Sequence, residues 1–135
     1  MDNAQGNNPS TPQATESIQM AAKLPSSCGF IRLNEKGGLE VEFYDHGELA
    51  HSFFGNDVST YYTISTEQFP TLVTALQQRQ AMHSLDRVAA QVDWTDTSIY
   101  GLPTRVAHSF LDIEDLLEWL RASDLQLHTR TDTWV

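Results

Sequence analysis

Between Phe30 and Ile64 the chain alternates apolar and polar residues, and the alternation breaks at clusters of Gly, Asn and Asp. Period-two patterning in short runs is the mark of half-buried strands, and such punctuation turns each strand back beside the one before it. Leu39-Glu40-Val41-Glu42-Phe43-Tyr44-Asp45 is the clearest run. Strand geometry puts Leu39, Val41 and Phe43 on an inner face and Glu40, Glu42 and Tyr44 on an outer one. Before it, Phe30 to Leu33 reads as a short strand, joined through Asn34-Glu35-Lys36-Gly37-Gly38, whose glycines suit the positive φ of a tight hairpin. After it, Asp45-His46-Gly47-Glu48 is a turn, Leu49 to Phe54 a third strand, Gly55-Asn56-Asp57 another turn and Val58 to Ile64 a fourth strand. Consecutive strands with short connections predict an antiparallel meander.

Beyond Ile64 the period changes. Ser65-Thr66-Glu67-Gln68 has the spacing of a capping box, in which Ser65 and Gln68 satisfy each other's amides. Phe69, Leu72, Val73 and Leu76 then fall on one helical face up to about Gln80, and Leu85, Val88, Ala89 and Val92 repeat the spacing as a second short helix or a continuation. Asp93 to Ser109 has no clear period and contains Gly101 and Pro103, so it reads as loop with at most a short strand. Asp112 is placed to cap a third helix with Glu114 and Asp115 in its first turn, Ile113, Leu116, Leu117 and Leu120 as its apolar stripe and Arg121 in its last turn. Leu125 to Arg130 alternates once more, a candidate final strand. The expected fold is α+β: a four-stranded antiparallel meander packed with two or three helices, with a possible C-terminal strand.

Residues 1–27 are rich in Asn, Gln, Ser, Thr and Pro and are expected to form a poorly ordered tail ahead of a single domain over 28–135. Ile18, Met20, Ala21, Ala22 and Leu24 make a small apolar cluster inside this tail, for which a helical turn or a docking contact is conceivable and no element is expected. A domain of that size buries a sufficient core without covalent staples. Cys28 is the only cysteine, which rules out an intrachain disulfide and a thiolate zinc site. The opening residues lack the basic and apolar stretches of a secretory signal, so the expected location is the cytoplasm.

Eighteen acids against eight bases give a net charge of −10, and only Lys23 and Lys36 are lysines. Nucleic acid and anionic membrane are therefore not expected as partners, whereas a basic protein is. The five histidines, His46, His51, His83, His108 and His128, show no i, i+4 pair of the zincin kind. Asp45, His46, His51 and Asp57 cluster around adjacent turns, but turn chemistry accounts for both aspartates without a metal. Neither a nucleophile elbow nor a Gly-rich phosphate loop nor a dinucleotide fingerprint occurs. Glu40 and Glu42 stand about 7 Å apart on one strand face, a spacing that carboxylate pairs in glycosidases also use and that solvated strand faces show far more often. Neither a cofactor nor catalysis is expected.

What remains is a concentration of acids and aromatics in the meander. Glu40, Glu42, Tyr44, Asp45, Glu48 and Asp57 are outward by pattern or by turn, and one of the neighbours Tyr61 and Tyr62 must point outward. Carboxylates around an aromatic anchor suit a fast, tight protein interface, with Tyr61, Tyr62 or Trp94 as the anchor. The acids at the start of the third helix need no such role, because the helix dipole favours them there.

Three segments, Leu39-Glu-Val-Glu-Phe-Tyr-Asp45, Phe54-Gly-Asn-Asp-Val58 and Tyr61-Tyr-Thr-Ile64 leading into the capped helix, resemble the small acidic immunity proteins of bacterial toxin systems, those of contact-dependent inhibition and type VI secretion included. The likeness spans residues 30–76. It implies a cytoplasmic, non-enzymatic protein that binds a cognate toxin domain, often a basic nuclease, and occludes its active site. The alternative is an acidic secretion chaperone that holds an extended effector segment as a homodimer.

Overall fold

The computed structural model describes residues 17–47, 57–82, 92–95 and 98–134. Five strands, β1 (Ile18–Met20), β2 (Ser27–Leu33), β3 (Leu39–Asp45), β4 (Asp57–Ile64) and β5 (His128–Trp134), form one sheet in sequence order, every neighbouring pair antiparallel. Three helices, α1 (Phe69–Met82), α2 (Leu102–His108) and α3 (Ile113–Ala122), follow β4 and precede β5. The coarse α+β expectation holds, with five strands among the described residues where the sequence predicts a four-stranded meander and a possible C-terminal strand.

The alternation in β3 does what its period dictates. Leu39 and Val41 are fully buried, and the register aligns them with Leu33 and Ile31 on β2 and with Ile64 and Tyr62 on β4. These inner-face residues join one apolar cluster with Phe69, Leu72 and Leu76 of α1, Leu102 and Val106 of α2, and Ile113, Leu116, Leu117 and Leu120 of α3. A sheet with one apolar face and helices over it is the two-layer solution for burying both. The β2–β3 turn is set by Asn34, whose side-chain oxygen accepts from the amides of Lys36 and Gly38 at 3.0 Å, while Gly37 alone takes the positive φ, 87°.

Several expectations change. Ile18–Met20, assigned to the tail, is an edge strand: Ile18 pairs with Ile31 and Met20 with Gly29, which turns both side chains toward the core. The residues after it are tied to α3, since the Ile113 amide donates to the Ala21 carbonyl at 2.9 Å and the Lys23 amide to the Glu114 carboxylate at 3.0 and 3.1 Å. The predicted strand at Leu49–Phe54 lies outside the described residues. Because β3 pairs directly with β4 over seven positions, no strand stands between them. Of the second predicted helix only Val92 is described, and it is buried.

The predicted loop at 93–109 contains α2. Pro103 sits in the first turn, where a missing amide proton costs nothing, so it starts the helix that it had argued against. Arg105 interrupts the apolar period and yet is buried, its guanidinium donating to the Ser98 and Gly101 carbonyls. The capping box at Ser65 does not form; Ser65 makes no side-chain cap, and Gln68 instead bonds Gln126. At α3 the expectation holds, the Asp112 carboxylate accepting from the Asp115 amide at 2.8 Å. The final strand begins at His128, three residues later than the alternation suggests.

Candidate functional site

Helices cover one face of the sheet; the register defines what stands on the other. Arg32 is level with Glu40, Glu40 with Thr63, and Thr63 with His128. One step along, Phe30, Glu42, Tyr61 and Arg130 form a second row, and Cys28, Tyr44, Ser59 and Asp132 a third, with Asp57 at the end of β4. Five of the nine residues singled out from sequence, Glu40, Glu42, Tyr44, Asp57 and Tyr61, therefore share this outer face.

Their electrostatics differ from a bare acidic surface. The Arg32 guanidinium donates to Glu40 Oε2 at 2.5 Å and Glu42 Oε1 at 2.6 Å, and its Nε to Ser17 Oγ at 2.8 Å. Both carboxylates are largely buried by this clamp, with side chains 14 % and 12 % exposed. Burial works to lower the Arg32 pKa, and the hydrogen bonds to Glu42 and Glu40 outweigh it, so the guanidinium is held more firmly charged than usual. Ser59, fully buried, donates to Glu42 Oε2 at 2.7 Å. The Tyr44 hydroxyl donates to the Asp57 carboxylate, which pushes the phenol up to about 12. Burial, and then Glu42, push the Cys28 thiol up as well. Across the described part of the face, four carboxylates stand against two guanidinium groups.

Tyr61 is on the outer face but only 7 % exposed, because the Arg130 guanidinium lies 4.1 Å from its ring centroid. Tyr62 points the other way, into the core cluster. Trp94 packs against the core too; its Nε1 donates to Gln80 Oε1 at 3.1 Å and Arg105 stands 5.6 Å from its ring. Asp45 belongs to a turn, its Oδ1 accepting from the Gly47 amide at 2.9 Å. Glu48 and His51 lie outside the described residues. Tyr44 is thus the aromatic of the face that neither a cation nor the core covers among the residues named from sequence.

The sequence reading missed Arg32, Ser59, Arg130 and Asp132. Arg32 was recoverable, because a hairpin that opposes Leu33 to Leu39 also opposes Arg32 to Glu40. Arg130 and Asp132 required the pairing of β5 with β4, which no local pattern specifies.

Two depressions accompany the site. One, of about 700 Å³, opens on the outer face at the β2–β3 turn between Arg32, Lys36, Glu40, Thr63, His128 and Arg130. Glu40 sits among its cations, so it has no single sign. The other, of about 760 Å³, runs between α1 and the end of α3 past Pro70, Ala75, Met82, Trp119 and Leu125. Among the described residues no three His, Cys, Asp or Glu side chains are placed to hold a metal, and no helix is long and apolar enough to cross a membrane. Comparison with protein-family models, curated proteins and solved structures gives no match.

Proposed function

We propose that the chain is an immunity-type inhibitor that docks the outer face of its sheet onto a basic toxin domain in the cytoplasm and blocks that domain's active site. The observation that carries this reading is the gathering of Glu40, Glu42, Tyr44, Asp57 and Tyr61 on one face that no described helix covers. A net acidic face on a chain of charge −10 attracts a basic groove over long range and speeds encounter. Anchored carboxylates add to this, because Arg32 and Ser59 hold Glu40 and Glu42 in fixed rotamers, so little side-chain entropy is lost on binding.

The mechanism is occlusion rather than chemistry. Partner Arg or Lys side chains meet Glu40 and Glu42 from the solvent side and share them with Arg32. Tyr44 supplies apolar contact, which reassigns the anchor from Tyr62 and Trp94. The test is rescue of growth. Any toxin domain encoded beside this gene should arrest growth when expressed alone, and co-expression of this chain should restore it. A neighbouring toxin that this chain neither binds nor neutralises contradicts the proposal. The chaperone alternative uses a different element: an extended effector segment would add itself along β5, beyond which no described strand lies.

A further inference from the structure

We propose that β5 is the seam of a two-fold dimer, in which two copies of this chain join edge to edge into a continuous ten-stranded sheet. The two edges of the sheet are treated differently. β1 is three residues long, a length that by itself discourages pairing, and it is tied down by Ala21 and Lys23. β5 is seven residues long, His128-Thr-Arg-Thr-Asp-Thr-Trp134, and carries no Pro or Gly to blunt it. No described strand lies beyond it.

The helix layer stops short of β5. Thr129, Thr131 and Thr133 point to the helix side by their register with Tyr62, Thr60 and Val58, yet all three are exposed. On the opposite face Arg130 and Asp132 pair loosely with each other at 3.4 Å, and their side chains stay 59 % and 43 % exposed, open to exchange for the same pairs across a second copy. A long, β-branched edge exposed on both faces is a pairing template. Its charges cancel, so the repulsion expected between copies of a −10 chain is absent at this strand.

The side chains select one register. Antiparallel pairing about a two-fold axis through Thr131 sets Arg130 against Asp132 of the second copy, and Asp132 against its Arg130. The same axis sets Thr129 against Thr133 and Thr131 against itself. Opposite-charge and Thr–Thr pairs facing each other across antiparallel strands stabilise the pairing. The next registers that keep faces matched centre on Arg130 or Asp132 and oppose like charges. A one-residue slip between these would mate the Thr face of one copy with the charged face of the other, against the pleat. Complementarity in one register with repulsion in its neighbours is the pattern of a specified isologous contact. Edge pairing alone buries little area, so dissociation at roughly micromolar concentration is expected.

The proposal does not rest on the inhibitor reading: Arg130 and Asp132 stand at the margin of the outer face, but the residues that carry that reading, Glu40, Glu42, Tyr44, Asp57 and Tyr61, are not part of the seam. The experiment is sedimentation equilibrium with light scattering on the full chain, on Asp132→Arg, and on the double exchange Arg130→Asp with Asp132→Arg. Wild type should approach twice the 15.2 kDa chain mass. Asp132→Arg opposes arginine to arginine twice and should weaken the dimer at least about tenfold; the double exchange should recover wild-type affinity to within about threefold. Recovery also shows that any loss was not misfolding. A monomer at all concentrations overturns the proposal, as does a dimer indifferent to Asp132→Arg or a double exchange as weak as the single. Capture of an extended peptide at β5 by a monomeric chain assigns the edge to a foreign segment and overturns it too.

Discussion

Ser59 and Glu42 meet across β3 and β4, the hydroxyl donating to Oε2 at 2.7 Å from a fully buried position on the face that the described helices leave uncovered. The other oxygen of that carboxylate is taken by Arg32. Glu42 is thereby a braced charge at the centre of the sheet, shared between three strands, and its neighbours depend on it. Arg32→Met should leave Glu40 and Glu42 facing each other without their counter-ion, costing about 1–3 kcal/mol in urea unfolding. Adding Glu40→Gln and Glu42→Gln should return part of that loss.

Gly29 is required by Ile113. A Cβ at Gly29 would fall 2.5 Å from Ile113 Cδ1 and Cγ1, so the start of α3 presses on bare backbone of β2. Gly29→Ala should destabilise by about 1–3 kcal/mol, and trimming Ile113 to Val in the same chain should recover some of it. Equal stability of Gly29→Ala and wild type would mean that α3 does not pack there.

Tyr44 should titrate at about 12, because the phenol donates to a carboxylate whose charge opposes a second negative charge. The folded value lies above the unfolded one near 10, so the contribution is whole below pH 10 and fades as pH rises toward 12. Ultraviolet titration should show Asp57→Asn moving this one phenol back toward 10.

Gln68 and Ser65 separate two accounts of how α1 begins. Gln68 Nε2 donates to the Gln126 carbonyl and Gln68 Oε1 accepts from the Gln126 amide, both at 2.7 Å, clasping the approach to α1 to the approach to β5. Gln68→Ala should cost about 0.5–1.5 kcal/mol and Ser65→Ala almost nothing. Asp112→Ala, which removes a real cap, should cost about 1 kcal/mol. A larger loss at Ser65 than at Gln68 would restore the capping box.

Where period and cap chemistry agreed, the residues were legible: β3 and α3 carry their burial pattern openly, and Asp112 its role. Gln68 misled because its spacing from Ser65 satisfied a local rule while a partner 58 positions away took its side chain. α2 was hidden by Arg105, whose burial depends on the Ser98 carbonyl and the Trp94 ring, both tertiary. For the same reason the outer face was legible as a set of outward residues but not as a network. Alternation gives direction, whereas the clamp of Arg32 on two glutamates arises only when the strands pair.

Association kinetics test the docking face most directly. Against a basic toxin domain that this chain is found to neutralise, wild type and the double variant Glu40→Gln with Glu42→Gln should be compared over a range of salt concentrations. The glutamines keep the side-chain size and remove two charges but leave Arg32 without its carboxylates. A double variant shown by urea unfolding to stay folded should associate several-fold more slowly at low ionic strength, with the gap closing as salt rises. Equal rates at every salt concentration would contradict the account.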